Sequence, residues 1–168
     1  IASQTLERFW TMLAHSQGSI INASQLSRSL MLSAKSVTSY VDLFTDLLLV
    51  RKIPPYFANI KKRMVKSPKV YIRDSGLLHG LLGIRDFENL LGHPIIGNSW
   101  EGFVLENLIN CSPAGTKSSF YRTSGGAEVD LVLELPGKQA PWVFEVKHGT
   151  IGKLNKGFYY AVEDIAPE

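Results

Sequence analysis

The chain has 168 residues, 45% of them apolar, enough for one medium domain or two small ones. Its formal net charge is +3, and its single cysteine, Cys111, excludes an internal disulfide and a zinc cage built from cysteines. No apolar run approaches the roughly 20 residues that span a bilayer; the longest aliphatic cluster is Leu47 to Val50.

The start, Ile1-Ala2-Ser3-Gln4, has neither an initiator methionine nor the charged-then-apolar order of a signal peptide, as expected of a fragment of a longer cytoplasmic protein. Leu6, Phe9, Trp10 and Leu13 recur at helical spacing and predict a first helix from about Ser3 to Ala14. Asn22 with Gln25 reads as a helix start, and Ala23, Leu26 and Leu30 supply the apolar stripe behind it. A third helix is expected from Ala34 to about Leu47, with Val37, Tyr40, Val41, Phe44 and Leu47 inward and Lys35, Ser36, Thr38, Ser39 and Asp42 outward.

Two short helices separated by Leu32-Ser33 suggest a helix-turn-helix. Leu48–Ile53 and Lys69–Ile72 read as strands around a basic cluster, which would then form a wing. Eight of the eighteen basic residues, from Arg51 to Arg73, fall in this stretch, and no acid interrupts them. A solvated face is one reading of such a run. A phosphate-contacting surface is the other, with Lys61, Lys62, Arg63, Lys66 and Lys69 in the cluster and Lys35 on the third helix as the contacts.

A short helix over Asp74–Leu82 closes this part, and Gly83–Pro94 reads as a linker. From Ser99 the pattern is helical again. Phe120–Thr123, Glu128–Leu135 and Trp142–Lys147 come next as three strands joined by hairpin turns at Ser124-Gly125-Gly126 and Pro136-Gly137-Lys138. Alternation in the third strand places Glu145 and Lys147 on one side. A carboxylate and an ammonium sharing a face, with Asp130 on the neighbouring strand and Glu101 on the preceding helix, fit a site that holds a divalent metal and polarises a water.

Pro54-Pro55-Tyr56, Asn59, Lys62-Arg63, Lys66 through Tyr71 and Asp74-Ser75-Gly76-Leu77 resemble a run typical of the DUF4143 region. Gly97, Glu101, Glu128-Val129-Asp130 and Glu145-Val146-Lys147 continue the resemblance in order. That region stands mostly C-terminal to a AAA-type ATPase core in bacterial and archaeal proteins. The resemblance implies an α+β chain with a winged-helix-like domain over residues 1–90. A restriction-endonuclease-like α/β domain of the PD-(D/E)XK type would occupy 91–168, truncated at its C-terminus. It implies DNA and the chain's own N-terminal ATPase domain as partners, with ATP confined to that absent part. No Gly-x-x-x-x-Gly-Lys-Ser/Thr occurs in the sequence.

Carried over residue by residue, the resemblance makes Asp130 and Glu145 ligands of Mg²⁺. Lys147 becomes the group that orients or deprotonates the attacking water or steadies phosphoryl oxygens, and Glu101 completes the metal shell. Val129 stands where the family's nominal proline is expected. Three other readings remain open: a cross-strand Asp130–Lys147 ion pair with Glu145 exposed, a DNA-binding module with a vestigial site, and a protein-interaction module. Glu106 lies about 140° around the helix from Glu101 and cannot join it at one metal. Glu128 shares a face with Asp130, and His148 could border the site. His15, His79 and His93 show no ligand spacing, no serine, histidine and acid set is identifiable, and Trp10, Trp100 and Trp142 are expected in the core.

Overall fold

The computed structural model describes residues 3–57, 65–149 and 152–166. The chain is mixed α and β and divides into two compact units, Ile1–Lys52 with Lys69–Phe103 and Ile53–Pro68 with Val104–Glu168.

In the first unit, helix α1 (Ser3–His15) turns Phe9, Leu13 and Ala14 inward. Helix α2 (Ala23–Leu30) starts where Asn22 accepts the Gln25 N–H at 3.0 Å, and α3 (Ala34–Asp46) starts where Ser33 accepts the Ser36 N–H at 3.0 Å. Each cap satisfies an amide that the helix cannot, worth about 1 kcal/mol. Val37, Val41 and Phe44 face the core, where Phe44 packs against Phe9 with ring centroids 5.6 Å apart. Strands β1 (Ser19–Ile20), β2 (Val50–Ile53) and β3 (Lys69–Ile72) form a sheet ordered β1-β3-β2. All four residues of β3 are buried, as expected of a central strand covered on both faces.

Helix α4 (Ser75–Leu81) is capped by Asp74. The expected linker holds a further helix, α5 (Phe87–Leu91), which a sequence reading overlooks because it has little more than one turn and no buried stripe. Asp86 nucleates it by accepting the Asn89 N–H at 2.8 Å. Helix α6 (Ile96–Asn110) begins at Ile96 rather than Ser99.

The second unit carries β4 (Lys117–Arg122), β5 (Glu128–Glu134) and β6 (Trp142–Phe144), antiparallel and ordered β4-β5-β6. The β4–β5 register shifts between Ser119 and Tyr121. There Phe120 turns its amide away from β5 to Pro54 O at 3.0 Å, while its carbonyl accepts the Tyr56 N–H at 2.6 Å. Val65 N–H adds a bond to Arg122 O at 3.2 Å. Residues flanking the basic stretch thus cover the outer edge of β4, which would otherwise be open to foreign strands.

Helix α7 (Lys156–Ile165) lays Ala161 and Ile165 against Tyr121, Val129 and Val132. A side chain at Gly157 would lie 2.3 Å from Gly126 O, so only glycine lets α7 approach the β4–β5 turn this closely. Tyr121 OH donates to Asp164 Oδ2 at 2.7 Å and fixes the far end of the helix.

Three tryptophans were expected in the core. Trp10 packs partly buried against it, whereas Trp100 and Trp142 are more than two-fifths exposed. Among the described residues, no helix is long and apolar enough to cross a membrane.

Candidate functional site

The β5–β6 ladder pairs Leu133 with Trp142, Val132 with Val143 and Leu131 with Phe144. The ladder ends at Phe144, short of the expected Lys147. The reason is visible at the next amide: Val146 N–H donates to Asp130 Oδ2 at 2.9 Å, so a side-chain carboxylate takes the place of the strand partner. Glu145 and Lys147 therefore share a site without sharing a strand.

Asp130 is 7% exposed, and the Glu145 side chain 6%. Two carboxylates near one another and shielded from water repel one another. Burial pushes the Glu145 carboxyl above its usual range, and the charges of Asp130 and Glu128 push the same way; only Lys147 opposes them. Lys147 Nζ donates to Glu145 Oε1. Glu145 Oε2 is buried with no hydrogen-bond partner among the described residues. The alternative in which Glu145 is exposed is thereby corrected: its side chain is inside, and Lys147 is bonded to it.

That orphaned oxygen beside a second carboxylate suits a hard cation, which would satisfy it and relieve the repulsion. Among the described residues, no group of three or more His, Cys, Asp or Glu could hold a metal on its own. Mg²⁺ does not need one, since it commonly takes one or two carboxylates and keeps its waters. Asp130 and Glu145 are the residues that would hold it.

Glu101 lies in the first unit. Its Oε1 accepts the Tyr71 OH at 2.5 Å and faces the Lys69 ammonium at 3.4 Å. Lys69, expected among the phosphate contacts, is only 4% exposed, because β3 is central and carries this side chain toward Glu101. Gln17 lies buried in the same unit, donating to Ile72 O at 3.2 Å and accepting the Ile72 N–H at 2.7 Å. Tyr71 and Gln17 carried no signal in the sequence beyond their places in a strand and a helix end. Lys35 and Lys66 are exposed, as expected of phosphate contacts; Lys61, Lys62 and Arg63 lie outside the described residues. Of the histidines, His79 Nε2 is bonded to Ser99 Oγ at 2.7 Å.

Two family models match the chain. The first, described as Domain of unknown function (DUF8612), covers residues 1–88. The second, Domain of unknown function (DUF4143), covers residues 96–168. The DUF4143 resemblance thus stands for Gly97, Glu101, Asp130, Glu145 and Lys147, whereas the Pro54–Leu77 run falls under the other model. The chain is also similar to the uncharacterized protein Rv2008c of Mycobacterium tuberculosis and the uncharacterized protein Mb2031c of Mycobacterium bovis. Each is 44% identical over 165 residues, covering 98% of this chain and 37% of the relative. The chain therefore spans little more than a third of the length of these relatives. No solved structure matches it.

Proposed function

We propose that this chain, which belongs to the family described as Domain of unknown function (DUF8612), is a nucleic-acid-associated module of a larger AAA-type ATPase. Its second unit would carry a Mg²⁺-dependent phosphodiesterase centre. One observation carries the catalytic part: the Asp130 and Glu145 carboxylates are buried and close enough for their charges to act on one another, with Glu145 Oε2 lacking a hydrogen-bond partner among the described residues and Lys147 bonded to Oε1.

The order α1, β1, α2, α3, β2, β3 with a β1-β3-β2 sheet supports the winged-helix reading of the first unit. An antiparallel β4-β5-β6 sheet, succeeded by α7 packed on β5, supports the nuclease-like reading of the second. The DUF4143 match supports association with an ATPase core, which would lie in the part of the longer protein outside this chain.

In this reading Asp130 and Glu145 hold the cation, and the main-chain amide of Val146 fixes the Asp130 carboxylate in place. A bound Mg²⁺ neutralises phosphoryl charge and lowers the pKa of a coordinated water. Relieved of its bond to Glu145, Lys147 turns its ammonium to a phosphoryl oxygen and steadies the charge that grows there.

A second reading, a nucleic-acid platform that does not cut, is favoured by the direct Lys147–Glu145 bond, which already neutralises part of the site. DNA incubation with Mg²⁺ separates the two. A nuclease loses cutting by about a hundredfold or more in both Asp130→Ala and Lys147→Ala. Salt-sensitive binding without product, in Mg²⁺ and Mn²⁺ alike, supports the platform. Cutting that survives both substitutions overturns the assigned centre.

A further inference from the structure

From Val146 to Val162 the chain contains no acidic residue, while Lys147, His148, Lys153 and Lys156 supply positive charge. Gly152 lies beside Lys147: a side chain built on it would lie 3.1 Å from Lys147 Cβ. Lys153, Leu154, Asn155 and Lys156 are exposed and lead into α7. On that helix Ala161 and Ile165 are buried, which leaves Tyr159 and Tyr160 outward with more than half of each exposed. Lys156 sits three and four residues before them and the exposed Glu163 four and three residues after, so the ammonium, both rings and one carboxylate share one helix face.

Two exposed tyrosines in sequence are costly to leave in water unless a partner covers them. Flat rings beside cations one turn away match the spacing of bases and phosphates in an unpaired strand, where stacking carries affinity and lysines track the backbone. A duplex hides its base faces and could use only the lysines. Asn155, the one amide in the set, has its side-chain oxygen engaged as the cap of α7, accepting the Phe158 N–H at 2.8 Å, and so is not poised to read a 2′-hydroxyl. We propose that Lys153, Lys156, Tyr159 and Tyr160 form a surface for single-stranded DNA, which delivers the strand to Lys147 and the carboxylates. The inference rests on the proposed function only for the cleavage of a strand already bound.

The test is fluorescence anisotropy of a labelled oligothymidylate with the 168-residue chain in EDTA, where binding is read without cutting. Affinity should fall linearly with the logarithm of salt concentration. Lys153→Glu with Lys156→Glu should weaken binding by about tenfold or more and flatten that slope by about 1.4. Tyr159→Ala with Tyr160→Ala should weaken it about tenfold while leaving the slope unchanged. Should charge reversal unfold the protein, Lys153→Gln with Lys156→Gln must give the same ordering. The surface is overturned by absent binding at low salt, or by both pairs of variants binding normally. It is also overturned if oligouridylate, duplex DNA or polyglutamate is held as tightly as oligothymidylate. Binding that persists while cutting is never observed overturns the catalytic reading alone.

Discussion

Each unit holds a carboxylate beside a lysine, and the two are settled differently. In the first, Glu101 receives Tyr71 and faces Lys69, and the neighbouring Gln17 satisfies both polar groups of Ile72. In the second, Lys147 is bonded to Glu145 Oε1, and Glu145 Oε2 is buried with no hydrogen-bond partner among the described residues. A charge matched from all sides holds structure together, whereas a surplus of negative charge in a dry place draws in something positive. The same residue types thus act as a fastener in one unit and as a candidate centre in the other.

The largest expected effect tests the fastener. Glu101→Ala removes the carboxylate facing a buried ammonium and should cost about 3–5 kcal/mol in urea unfolding. A cost below about 1 kcal/mol would break the contrast from that side. Next, Mg²⁺ at a hundred times its dissociation constant should stabilise the chain by about 2.7 kcal/mol. Asp130→Asn should abolish the gain, and Glu101→Gln should keep it. Loss of the gain in Glu101→Gln instead would tie Glu101 to the metal, as first expected from the sequence.

A smaller effect arises from the repulsion itself. Without metal at neutral pH, Glu145→Gln should raise stability by a few tenths to about 1 kcal/mol. The folded pKa of Glu145 lies above the unfolded value of 4.5, so its contribution is present below that value and lost as pH rises through the folded pKa. The share of the pH slope that Glu145 contributes should be missing in the glutamine variant. The smallest effect has the opposite sign and belongs to the first unit. Burial lowers the pKa of His79 below 6.5, so its contribution is present above that pH and lost as pH falls toward the folded value. Urea midpoints of His79→Gln should fall less between about pH 7 and pH 5 than those of the unmodified chain.

The periodic helices were legible because their burial is one-sided. Leu6, Phe9, Trp10 and Leu13 marked α1, and Asn22 marked the start of α2, since a cap is a local bond between near neighbours. One strand, Lys69–Ile72, was found with both ends as expected; the others were found with an end displaced, for different reasons. β6 stops early because Asp130 captures the Val146 amide, a bond between residues sixteen apart that no local pattern encodes. β4 starts early, at Lys117, and the register break opposite Phe120, where β5 sets Asp130 and Leu131 against one residue, goes with bonds from Phe120 to Pro54 and Tyr56, distant in sequence. Lys69 looked like one member of a basic run. Its burial reflects the central place of β3 in a sheet, and sheet order is not written in a charge count. Asp130, Glu145 and Lys147 were named correctly as neighbours within one unit, while the strand alternation used to place them was not the cause.

The stitching of Pro54, Tyr56 and Val65 onto β4 has a topological cost. The polypeptide passes from one unit to the other after Lys52, returns after Pro68 and leaves again after Phe103. Neither half corresponds to an uninterrupted stretch of gene, so cutting the coding sequence once, anywhere, strips one half of a piece it packs around. Recombination or truncation that trades a single contiguous segment should therefore yield insoluble products, and the two halves are expected to be inherited together.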